Sequence, residues 1–141
     1  MDRRRFLGAL GGAVSLSIAG CVGSGGSGTP TPDYDIGMTS SAFRPTVYET
    51  SVGETVRWYN GNSRAHTVTA YEASLPDGAT YFASGGFDSE QAARDGYANG
   101  LKGSIVTGER YSHTFAVPGK YGYFCVPHER GGMVGEVIVK E

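Results

Sequence analysis

The sequence predicts an all-β Greek-key β-sandwich of about eight strands, with a short helix in a long excursion between two of them. Three observations carry that prediction. Apolar and polar residues alternate over short runs, which is the period of a half-buried strand. Nine tyrosines and six phenylalanines favour pleated, packed surfaces. Glycine- and proline-containing turn signals punctuate the runs, at the spacing of an antiparallel sandwich.

A chain of 141 residues has room for one domain with a real core and too little for two ordinary ones. With 39% hydrophobic and 18% charged residues, it is neither disordered by composition nor a multispan membrane protein. Twelve Lys and Arg against fourteen Asp and Glu leave a formal charge of −2, so no basic face is offered to nucleic acid. Two cysteines exclude a disulfide-dense scaffold and an all-cysteine zinc site.

Residues 1–20 read as an address. Arg3, Arg4 and Arg5 precede an apolar, glycine-rich run from Leu7 to Gly20 that is too short to span a bilayer. It ends Ile18-Ala19-Gly20-Cys21, small residues directly before a cysteine. The segment resembles a twin-arginine export signal with a lipobox, which implies cleavage before Cys21 and lipid on its sulfur. Asp2 stands where such signals carry Ser or Thr, so the charged flank of a general export signal is the alternative. Loss of 1–20 removes three arginines and one aspartate, moving the formal charge from −2 to −4. Residues 21–32 are then a lipidated cysteine and a Gly/Ser tether stiffened by Thr-Pro pairs, and the folded domain spans 33–141. The chain is expected as a monomer outside the cytoplasm, anchored to the cell membrane at Cys21.

Within the domain, strands are predicted over 33–39, 46–50, 54–60, 65–71, 111–117, 120–125 and 134–140. Val56 and Trp58 share one face of the third, and His66, Val68 and Ala70 share one face of the fourth. Trp58, Tyr121 and Tyr123 are expected in the core, and His113, alternating with Tyr111 and Phe115, in the core or at its rim. Pro118-Gly119 marks a turn. Residues 72–103 break the rhythm with Pro76-Asp77-Gly78, Gly85-Gly86 and a helix from Asp88 to about Tyr97, Asp88 and Gln91 forming a capping-box variant. An excursion of this length is either decoration on the sandwich or functional.

The chemistry lies in Cys125-Val126-Pro127-His128-Glu129-Arg130-Gly131-Gly132-Met133. A thiolate, an imidazole and a thioether within nine residues form a soft-ligand set. Pro127 and the Gly131-Gly132 pair keep the segment a loop that can fold three side chains onto one point. His66 supplies the missing ligand from upstream. Two imidazoles, one thiolate and a weak axial thioether make a blue-copper electron-transfer site with one copper ion. Taken singly, Cys125 reads as a small buried hydrophobe; the joint pattern reverses that. A Cys21–Cys125 disulfide is disfavoured by the flexible tether and by this second use of Cys125. Glu129 and Arg130 read as a solvated loop rim.

The stretch from Pro118 through Cys125 and His128 to Lys140 resembles the copper loop and last strand of plastocyanin-like cupredoxins, and most closely the lipid-anchored halocyanin branch. The likeness implies an eight-stranded sandwich with copper at one end, ligated by His66, Cys125, His128 and Met133. Two departures stand out. A charge of −4 is far less acidic than halophilic members carry, and Thr67 replaces the Asn that often follows the first ligand. The backbone N–H of Thr67 can still reach the thiolate, while the role of its side chain is left open. The function expected is one-electron transfer between redox proteins of a respiratory chain, without enzymatic activity. Copper oxidase or nitrite chemistry needs further metal sites, and three histidines cannot fill both. The alternative is a non-redox module that holds zinc or stores copper with the same ligands.

Overall fold

The computed structural model describes residues 33–141; residues 1–20, read as an export signal, and 21–32, read as a lipidated cysteine and tether, lie outside the described residues. Eight strands form in order: β1 (Ile36–Met38), β2 (Phe43–Arg44), β3 (Val47–Ser51), β4 (Thr55–Asn60), β5 (Thr69–Ala70), β6 (Arg110–Thr114), β7 (Gly119–Phe124) and β8 (Val134–Lys140). They make two four-stranded sheets, ordered β2-β1-β4-β6 and β3-β8-β7-β5. The expected sandwich is present, with one difference in strand direction. β1 pairs with β4, and β3 with β8, in parallel, so each sheet is mixed rather than purely antiparallel.

The inward face of each strand builds the core. Val56 and Trp58 of β4 face Tyr121 and Tyr123 of β7 and Val137 and Val139 of β8, all essentially sealed from solvent. Trp58 meets Tyr123 edge to face at 5.5 Å, and Phe43 meets the same ring at 4.6 Å. Trp58, Tyr121 and Tyr123 are therefore core residues, as their alternation predicts. His113 is half-buried at the rim, stacked on Phe82 at 4.7 Å and edge-on to Phe115.

Three local expectations are corrected. The predicted strand over 65–71 shrinks to Thr69–Ala70, because residues 66–70 are buried on both faces. The excursion and the residues just after it supply the backbone partners that a longer ladder would have used: Ser84 bonds both backbone groups of Val68, and Ile105 those of His66. β2 has no counterpart among the predicted strands. It turns back on β1 across residues 39–42, where the Thr39 hydroxyl accepts the Ala42 N–H. The helix in the excursion, α1 (Glu90–Ala98), starts later than expected, because Ser89 and not Asp88 caps it by accepting the Ala92 N–H.

Gly135 on β8 lies directly opposite Tyr123, whose ring fills the place of its side chain. A Cβ there would meet the ring at 2.5 Å and its hydroxyl oxygen at 2.6 Å. The ring is sealed among Trp58 and Phe43 and has nowhere to move. Gly135→Ala should therefore destabilise the domain by about 2 kcal/mol. Gly131→Ala, which meets nothing within 4 Å, should stay within about 0.5 kcal/mol of the parent. Parallel denaturant titrations measure both.

Candidate metal centre

Register brings the site together before any side chain is considered. β5 pairs antiparallel with β7, Thr69 against Phe124. Extended past the strand ends, that alignment sets Thr67 beside Val126, and so His66 beside the loop that leaves β7. The bond from the Val126 N–H to the Thr67 hydroxyl, at 2.8 Å, fastens the two segments. The Thr67 N–H reaches the Cys125 sulfur at 3.4 Å. Both halves of Thr67 are thus committed, and the side chain's role left open by the sequence is this cross-link.

Residues 126–131 form a 3-10 helix, with Pro127 in its first turn. It ends on Gly132, whose φ of +93° suits glycine alone among ordinary residues. That turn folds the chain back, so the Met133 N–H bonds the His128 carbonyl at 3.2 Å and the Met133 carbonyl accepts the Cys125 N–H at 3.0 Å. Cys125, His128 and Met133 consequently sit at one end of the β7–β8 hairpin. Met133 is fully buried in the core cluster.

His66 and Cys125 are also fully buried, and His128 is only half-covered. The two Nδ1 atoms lie 3.2 Å apart, and the Cys125 Sγ lies 3.7 Å from that of His66 and 3.3 Å from that of His128. A first-row metal ion bonded at about 2.0 Å to imidazole nitrogen and about 2.3 Å to thiolate spaces its donors roughly 3.3–3.8 Å apart. The triangle matches within a few tenths of an ångström, so these residues fit a metal ion.

Electrostatics agree. Burial, then the charge of His128, pushes His66 down to about 4. Burial, then the Arg64 charge, also lowers His128. Both rings are neutral near pH 7 and free to donate a lone pair. Burial raises the Cys125 thiol, against backbone N–H groups of Thr67 and His128 that favour the thiolate. Without a cation the sulfur keeps its proton; a bound ion draws the proton off. The His66 Nε2 is buried without a well-formed hydrogen bond, while the Thr39 backbone weakly favours the protonated ring.

Two residues matter here in ways that the sequence reading misses. Asn60, fully buried at the end of β4, donates to the carbonyls of Arg64 and Ile105, each at 2.7 Å, and accepts the Asn62 N–H. It shapes the loop that delivers His66. A polar residue at an inward position of an otherwise apolar strand face was the available signal. Glu129 is not the solvated rim residue expected: Arg94 and Tyr71 hold its carboxylate. Arg130 is exposed, as expected.

Comparison with known proteins places this geometry. Residues 32–140 match the family model described as copper binding proteins, plastocyanin/azurin family. The plastocyanin of Scenedesmus fuscus is 34% identical over 107 residues, covering 74% of this chain and 95% of that one. The chloroplastic plastocyanin of Tetradesmus obliquus is 33% identical over 107 residues, but the chain spans only 64% of its length. The crystal structure of amicyanin from Paracoccus versutus superposes with a TM-score of 0.55 at 25% identity, covering 79% of this chain and 85% of that one. The chain belongs to the plastocyanin/azurin family of copper-binding proteins, the cupredoxins.

Proposed function

We propose that the chain is a blue-copper one-electron carrier, held on the outer face of the cell membrane by lipid on Cys21. Its partners would be redox proteins of a respiratory chain, as suits the halocyanin branch that its C-terminal segment most resembles. The observation that carries this reading is the donor triangle of His66, Cys125 and His128, with only His128 near solvent. The family, a group of electron carriers, supports it.

When bound, copper supplies a one-electron couple between Cu(I), which favours soft trigonal donors, and Cu(II), which favours nitrogen and tetragonal ones. The chain's part is to hold one compromise arrangement, so that little moves when the electron does. His66 is pinned by backbone bonds to Ile105 in both directions. Cys125 is pinned by the Thr67 N–H and by its own N–H on Met133. Met133 would add a weak thioether donor to the set. His128, beside the exposed Pro127, offers the ring edge through which electrons enter and leave.

Three outcomes test this reading. Cys125→Ser should abolish intense visible absorption, because that colour arises from thiolate-to-copper charge transfer; a blue Cys125→Ser protein, or a parent that is colourless with bound Cu(II), rejects the carrier and leaves the zinc or storage module. Met133→Leu should keep the colour and raise the reduction potential, and Met133→Gln should lower it, since an amide oxygen is a harder donor that favours Cu(II). Voltammetry showing both shifts in one direction removes Met133 from the ligand set. Cys21→Ala should release the protein from washed membranes, as fractionation and immunoblotting would show.

A further inference from the structure

The excursion between β5 and β6 carries a cluster of charged groups that electron transfer at the copper end does not call on. Arg94, on α1, grips Glu129 with both terminal nitrogens, Nη1 to Oε1 at 2.8 Å and Nη2 to Oε2 at 3.1 Å. Its Nε donates to Glu90 Oε2 at 2.9 Å, one turn earlier. Tyr71 donates its hydroxyl to the same Glu129 carboxylate at 2.6 Å. Beneath them lies Phe124, fully buried, with the guanidinium 4.2 Å from its ring centre and Tyr71 stacked on it at 4.4 Å. Glu72 and Glu90 tie the base of the helix to the turn after β5, since a carboxylate oxygen of each accepts the other's backbone N–H.

The placement is what gives this cluster meaning. Phe124 immediately precedes Cys125, and Glu129 immediately follows His128. The two grips therefore straddle the segment that carries two of the three converging donors. An exposed ion pair contributes little. This one is a two-bond fork, partly covered and stacked on a buried ring, which is the arrangement in which arginine holds geometry as well as charge. The segment held by the grips runs into a single 3-10 helix, residues 126–131, and a short 3-10 helix is weakly self-supporting.

We propose that α1 is a brace for the metal loop, and that Arg94 is a positioning residue which fixes Glu129 and thereby sets Cys125 and His128 in place before any metal arrives. The proposal rests on reading residues 125–133 as the metal loop. It makes the 72–103 excursion a rigid arm that reaches across from β5 to the far side of the β7–β8 connection.

The test is amide hydrogen exchange on the metal-free full chain, so it is decided whether or not copper binds. The Gly132 and Met133 amides, bonded to the carbonyls of Glu129 and His128, report loop closure. In Arg94→Gln they should exchange about tenfold faster, while amides of the β4–β6 ladder keep their rates. Glu129→Gln approaches the same contact from the loop side and should behave alike, and the double variant should be no faster than either single one. Arg94→Lys should remain fast, because an ammonium cannot form the fork. In the copper-loaded protein, Arg94→Gln should raise exchange of neither ladder nor core but should lower the reduction potential, since the Glu129 carboxylate beside His128 loses its counter-charge, and Arg94→Lys should restore it. Unchanged Gly132 and Met133 rates, or equal acceleration in every strand, overturn the brace. A chain with a tight brace and no blue copper would instead overturn the proposed function alone.

Discussion

Thr67 holds together two stretches of chain that lie 58 and 59 residues apart along the sequence. Its N–H points at the Cys125 sulfur, and its hydroxyl takes the N–H of the next residue, Val126. The donor set depends on this small cross-link, because His66 precedes Thr67 and the other ligand positions follow Cys125. A buried sulfur in apolar surroundings gains little from its neighbours beyond van der Waals contact. The Thr67 N–H gives it a direction. The hydroxyl is itself held by Thr69 at 3.0 Å, so the chain of bonds runs back into β5.

The sandwich supplies what that cross-link cannot, which is stiffness. Donors that must not shift when their charge changes need a frame whose side chains have no alternative packing, and close-packed aromatic cores provide one. Here Trp58, Phe43 and Tyr123 lock against one another below the site, and Gly135 gives up its side chain so that Tyr123 can lie flat on β8. Asn60 contributes the same stiffness in polar form. One buried amide satisfies two carbonyls and one N–H, joining the end of β4 to the loop before His66 and to Ile105 just after the excursion.

Much of this was legible in the sequence where a single local rule governs. Alternation locates β4, β7 and β8 nearly to the residue, because their inward faces are apolar apart from Asn60 at the end of β4. The Cys125, His128 and Met133 spacing was legible because a loop between two strands has few ways to fold. Pattern alone fails where long-range partners decide. The run from His66 to Ala70 alternates like a strand, yet Ser84 and Ile105 take its backbone bonds, and nothing local announces that. β2 is two residues long and exists only because β1 is there to pair with it. Ser89 outcompetes Asp88 as helix cap, a choice between two good caps that sequence pattern does not resolve. Glu129 reads as rim because its partner, Arg94, is 35 residues away.

β8 occupies an interior position in its sheet, with β3 on one side and β7 on the other. During synthesis that slot stays vacant until residues up to Lys140 have emerged from the ribosome. Until then β3 has no neighbour to pair with, the β7 edge is open, and the loop bearing Cys125 and His128 has only one of its two strands. Two of the three converging donors, Cys125 and His128, lie at and beyond the end of β7, so the donor triangle closes only once that late segment is made.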